Sequence, residues 1–151
     1  MSPVPAATPD HALTTADALR PDLDRRSRIH DLVIAFYREI VFDELLGPVF
    51  TEVAETDWST HIPKLIDFWC RMLLDEPGYD GFVLAAHEHV HDTEAFRLEH
   101  FDRWYALWVA TIDERWTGPH AELAKQRARR IGRTLARRLL GVAWTPDVAR
   151  P

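Results

Sequence analysis

Apolar residues recur at helical spacing from Asp24 to Leu140, and no segment alternates apolar with polar at a period of two. A chain patterned this way has no strands to pair and must build its core from helix faces, so the expected fold class is all-α. Ile29, Leu32, Val33, Phe36, Tyr37, Ile40 and Val41 advance by threes and ones, which lays them along one helix face. Gly47-Pro48 breaks the chain after "FDELL" and leaves Phe50 in a corner. In the next helix, capped by Asp57 or Thr56, one face gathers Trp58, His61, Ile62, Leu65, Trp69, Met72 and Leu73. Pro63 must kink that helix or lie in its first turns, where the missing N–H does least harm.

Beyond "DEPGYDG", Asp80 is placed to cap a short helix through "GFVLAAHEHVH". Thr93 is placed to cap a long one through Trp116, with Phe96, Phe101, Trp104, Leu107, Trp108 and Ile112 inward. Gly118-Pro119 ends that helix, and the last, "AELAKQRARRIGRTLARRLL", turns Leu123, Ala124, Ala128, Ile131, Leu135 and Leu139 inward. The expected organisation is a disordered or loosely helical leader over 1–23, one domain over 24–141 and a tail over 142–151, without internal repeats.

A length of 151 residues with 46% apolar content suits one domain with its own core. The net charge of −6 sets up no field that would draw nucleic acid. Cys70 is the single cysteine, so no intrachain disulfide forms; following Trp69 on a packed helix, it reads as a small core residue. No apolar run approaches a membrane span and the N-terminus lacks the basic start and apolar middle of a signal peptide, which makes a cytoplasmic protein the expectation.

The stretch "HEHVH", His87 to His91, fits the H-E-x-x-H pattern of zinc hydrolases. Catalytic zinc takes three protein ligands, and the extended motif fails because Glu94 stands where glycine belongs and Arg97 where the third histidine belongs. A distant carboxylate such as Glu114 keeps a zinc hydrolase open as a remote reading. The helical neighbours of the three histidines separate them more sharply. His87 has Val83, Leu84, Val90 and His91 three and four residues away, whereas His89 and His91 meet acidic or polar company. An inward His87 facing a helix with its own inward His61 suits a haem iron held between two helices; a core histidine bonded to a carbonyl is the plain alternative. Tyr37 and Trp104 sit among apolar neighbours with a hydroxyl and an indole N–H that each need a partner, in the same pocket or at a carbonyl.

In order and spacing, "AFYREI", "LGPVF", "DWSTHIPKLIDFWCRMLL", "GYDG" followed by "LAAH", and "HFDRWYALW" resemble a group III truncated haemoglobin from about Asp24 to Leu140. Absence of any Gly-Gly pair agrees with that group. The resemblance implies a shortened globin fold, a two-over-two helical sandwich around haem b. It implies His87 as the proximal iron ligand, Tyr37, His61 and Trp104 on the ligand side, Phe50 packed on the porphyrin, Leu65 lining the ligand side, and Phe68 and Trp69 among the cofactor contacts. His89 and His91 follow the proximal position as two further candidate ligands for iron or a second metal.

A ferrous haem with one histidine keeps a position open for O2, CO or NO, and two donors beside it predict slow O2 release. That favours redox chemistry, NO detoxification or peroxide reduction, with Tyr37, His61 and Trp104 as the working side chains and electrons from a separate reductase. Passive oxygen binding or sensing is the alternative. Lys125, Arg127, Arg129, Arg130, Arg133, Arg137 and Arg138 crowd the last helix, as a solvated face or as a docking surface for an acidic reductase or an anionic membrane.

Overall fold

The computed structural model describes residues 20–53, 57–77 and 83–146. The leader up to residue 19 with His11, the candidate caps Thr56 and Asp80, and the tail from residue 147 lie outside them. All regular structure among the described residues is helical: α1 (Arg26–Phe42), a π-helical turn (Val49–Val53), α2 (Trp58–Leu74), α3 (Val83–Thr93), α4 (Leu98–Arg115) and α5 (Pro119–Leu140). Helix α1 packs on α2 and α4, and α5 packs on α4 and α2, so four helices close a ring of two pairs, one laid over the other. The short α3 lies against α5 and the π-helical turn. No helix among the described residues is long and apolar enough to cross a membrane.

Six of the seven positions expected inward on α1 are buried; Val41 is exposed. At 100° per residue it stands about 120° round the helix from Ile29, at the margin of the apolar stripe. The Asp43 carboxylate ends this helix by accepting the Leu45 and Leu46 N–H groups at 3.0 and 2.9 Å and the Arg103 guanidinium at 2.9 Å, which fixes the corner leading to Phe50. Asp57 caps α2 by accepting the Ser59 N–H at 3.1 Å. Pro63 falls in the second turn of a continuous helix and deprives only the carbonyl of Ser59, an exposed position.

The centre of the core is aromatic. Trp69 stacks on Trp108 with ring centroids 4.4 Å apart, and Phe36 meets Trp108 edge-on at 4.9 Å. The buried Trp108 indole donates to the Ala124 carbonyl at 3.1 Å, tying α4 to α5. Cys70 is fully buried beside them. Between α3 and α4 the expectation was different: Thr93 does not open α4 but closes α3. The chain then turns through Phe96, and α4 begins after Arg97, whose N–H donates to His100 Nδ1 at 2.8 Å. A ring nitrogen three residues on thus does what a hydroxyl at Thr93 was expected to do.

Packing continues past both ends of the 24–141 span. Leu23 is fully buried, and Asp22 accepts the His120 and Ala121 N–H groups at 3.0 and 2.8 Å, capping α5 from a distant segment. Gly118 permits this approach: its φ of +130° suits glycine, and a Cβ there would meet the Asp22 carboxyl carbon at 2.6 Å. At the other end Trp144 folds back, donates to Asp102 at 2.8 Å and fills the space over Gly132, where a Cβ would come within 2.5 Å of its ring.

Candidate haem site

Tyr37 on α1, Phe50 on the π-helical turn, and Trp58 and His61 on α2 converge into one box of rings. Tyr37 lies 5.8 Å from Phe50, 5.5 Å from Trp58 and 5.9 Å from His61, measured between centroids. Phe50 stacks on Trp58 at 5.8 Å, and both contact His61, at 6.4 and 5.7 Å. The corner at Asp43 and the cap at Asp57 fix the elements that carry these rings.

Two polar groups sit in this box, one of them at some cost. Tyr37 is buried, and burial alone pushes its phenol far above the usual tyrosine range, so it stays protonated and able to donate. The His61 Nε2 is buried with no hydrogen-bond partner. Burial first, and then charge on His87 and Lys64, lower the His61 pKa, so its ring is neutral near pH 7.

The remaining predicted residues occupy different surroundings. Trp104 is half-buried and leans edge-on against Phe36 at 6.5 Å, the same phenylalanine that meets Tyr37 at 5.0 Å. Leu65 and Phe68 are half-buried at the edge of the core, and Trp69 lies inside it, stacked on Trp108. On α3, His87 is half-buried and tilts against Phe96 at 6.3 Å, while His89 is exposed. His91 departs from the polar company expected of it: its ring stacks on Phe96 at 5.8 Å and its Nδ1 accepts the Phe96 N–H at 2.9 Å. The cause is the turn after Thr93, which folds Phe96 back onto the histidine face.

Neither Trp58, Phe36 nor Phe96 had a role assigned from sequence, yet each supports the predicted residues. For Trp58 the signal was present, since it stands three residues before His61 on the same helical face. Among the described residues no group of three or more His, Cys, Asp or Glu side chains is placed to hold a metal ion, so the H-E-x-x-H zinc reading has no ligand set there. Haem asks for something else: one axial nitrogen on one side, and donors in an apolar pocket on the other. An orphaned buried His61 nitrogen, a buried phenol beside it and a half-buried histidine on α3 fit that request.

Neutral buried histidines also give the fold a pH dependence. His100 is buried, and its pKa is lowered mainly by that burial and then by Arg97, as His61's is by burial. Below the ordinary value of 6.5 the unfolded chain takes up protons that the folded chain resists, so stability is full above about pH 6.5 and falls as pH drops. Melting followed by circular dichroism should show Tm decreasing from pH 7 to 5. A His100→Gln variant, whose amide oxygen still accepts the Arg97 N–H, should show a shallower decrease, and equal slopes would refute the assignment.

Comparison with known proteins adds an independent line. No family model matches the chain. Over 106 residues it is 31% identical to "Group 3 truncated hemoglobin ctb" of Campylobacter jejuni, covering 68% of this chain and 81% of that protein. A crystal structure of the group III truncated hemoglobin from Campylobacter jejuni matches the fold with a TM-score of 0.67 at 29% identity, covering 76% of this chain and 91% of that one. With 31% identity over most of that protein and the all-helical fold agreeing, the chain belongs to the group III truncated haemoglobins.

Proposed function

We propose that this chain holds haem b between α2 and α3 with His87 as the axial iron ligand, and that it carries out redox chemistry on a small bound molecule. The observation that carries the reading is the His61 Nε2, buried without a partner beside the buried Tyr37 phenol. A buried nitrogen left unpaired is costly unless a ligand satisfies it. When bound, haem supplies an iron with one open position for O2, CO, NO or peroxide.

The side chains divide the remaining work. Tyr37 and Trp104 act as donors to the small ligand, the phenol kept protonated by its burial. His61, held neutral, is suited to receive a proton and pass it on during peroxide reduction, or to gate entry. Forming one nitrate from NO and O2 consumes one electron, and no flavin or nicotinamide motif occurs in this chain, so a separate reductase supplies it. Its docking face is α5, where Arg129, Arg130, Arg133, Arg137 and Arg138 are exposed on an acidic protein and the helix packs directly on α3. Reduction rates that ignore ionic strength would remove this docking face.

Two measurements test the reading. The dithionite-reduced protein, offered haem, should show an intense Soret band that shifts on addition of CO; a flat spectrum refutes haem binding. Adding NO to the oxygenated protein should then yield nitrate over repeated cycles with a reductant. A Soret band without nitrate or peroxide turnover leaves passive oxygen binding or sensing. For the donors, Tyr37→Phe should speed O2 release about tenfold or more, since a hydrogen bond to a group with charge is worth about 1.5–3 kcal/mol. Stopped-flow displacement of O2 by CO measures it, and a rate within twofold of wild type excludes Tyr37 as a donor.

A further inference from the structure

The imidazole of His61 has no hydrogen bond at Nε2, so ring contacts hold it in place: Trp58 at 5.7 Å, Tyr37 at 5.9 Å and Phe50 at 6.4 Å. Of the three, Trp58 lies nearest to His61, and it also stacks on Phe50 at an interplanar angle of 25° and tilts against Tyr37, so it touches every other ring of the box. It is the first residue of α2, three positions before His61, a spacing that places both rings on one helix face. Its flanking residues Asp57, Ser59 and Thr60 are exposed while the indole is half-buried, so the ring stands between solvent and the box. A first helical turn frays unless capped. Here the Asp57 carboxylate accepts the Ser59 N–H at 3.1 Å, the Ser59 hydroxyl at 2.7 Å and the Thr60 hydroxyl at 3.1 Å, which pins the backbone under Trp58.

We propose that Trp58 is the positioning residue of the ligand side: it sets the orientation of the His61 ring and closes the pocket to solvent at the start of α2, which restricts entry to small molecules. The inference rests on the haem reading and goes beyond it by assigning the gate to a residue outside the predicted site. Without the indole, His61 loses its nearest ring contact and gains room to take more than one orientation. The pocket then opens where the cap turn meets water. Phenylalanine retains a ring that stacks on Phe50 and keeps most of the effect.

The test uses the haem-loaded full chain, reduced and saturated with CO. Infrared spectroscopy reads the CO stretching band, which reports the polar surroundings of the ligand, and flash photolysis reads the rate of CO association. Trp58→Ala is expected to split or broaden a single band and to speed association about tenfold, while Trp58→Phe stays within about twofold of wild type. Asp57→Ala, which loosens the turn without touching the ring, is expected to move both readouts in the same direction by about twofold to threefold. A Trp58→Ala protein that loads haem with unchanged band and rate overturns the proposal. Should that variant fail to load haem, unchanged readouts in Asp57→Ala overturn it equally. Absence of a Soret band in the wild type overturns the haem reading and this inference together, an outcome distinct from a normal Soret band with an insensitive Trp58.

Discussion

Replacing His87 with alanine should weaken haem retention by at least about 100-fold and remove most of the Soret band from protein purified without added imidazole. The expectation follows from the proposed axial bond: groups that merely orient a metal ligand are worth about 10–100-fold in affinity, and loss of the ligand itself exceeds that. His87→Gly with exogenous imidazole should restore the spectrum, because a free ring enters the space the side chain vacated. A melting curve of the haem-free variant near that of the haem-free wild type would show that the change is local, as expected for a half-buried position on the short α3. The experiment also weighs the neighbouring histidines. His91 already has its Nδ1 engaged by the Phe96 N–H, and His89 is exposed, so neither is well placed to substitute. A full Soret band in His87→Ala would move the ligand to one of them and refute the assignment.

The largest effect on stability is expected at Trp108. Its ring is fully buried, stacks on Trp69, meets Phe36 edge-on and donates to the Ala124 carbonyl. Trp108→Ala should cost about 3–5 kcal/mol for the lost ring and its cavity, with about 1 kcal/mol more for the carbonyl left unpaired. Against a total stability of about 5–15 kcal/mol this is a large fraction, and at about 2–4 °C per kcal/mol it should lower Tm by about 10 °C or more. Urea denaturation of the haem-free protein is the appropriate measurement, since a bound cofactor raises apparent stability by mass action. Trp108→Phe keeps the stacking partner and loses the donor, so it should fall between. A loss below about 1 kcal/mol for alanine would mean that the core collapses around the gap, contrary to its tight ring geometry.

Helix existence was legible because it is local. The buried series of α1 follows from spacing alone, with Val41 failing only where the apolar stripe runs out. Asp57 was legible as a cap because its acceptor serves residues two and three positions on. The opening of α4 was not: a histidine ring accepts the Arg97 N–H there, and Thr93 has the better residue type in the wrong place. Residue type ranks caps, but the turn through Phe96 decides where the chain re-enters a helix. Likewise, Asp22 and Trp144 carry no local sign that one caps α5 and the other covers Gly132, 98 residues and 12 residues away by the hydrogen bond from His120 and by position respectively.

By itself the sequence determined that this protein is all-α, that Tyr37, His61 and His87 lie on apolar helix faces, and that it resembles a group III truncated haemoglobin. Each of these is a property of residues within about two turns of one another, or of motif order along the chain. Only the tertiary structure decided that Tyr37, Phe50, Trp58 and His61 share one box, that the His61 Nε2 is left without a partner, and that Trp69 stacks in the core. The reason is physical: helical periodicity sets which direction a side chain points from its own axis, while the partner it meets there depends on how separate helices and their corners pack together.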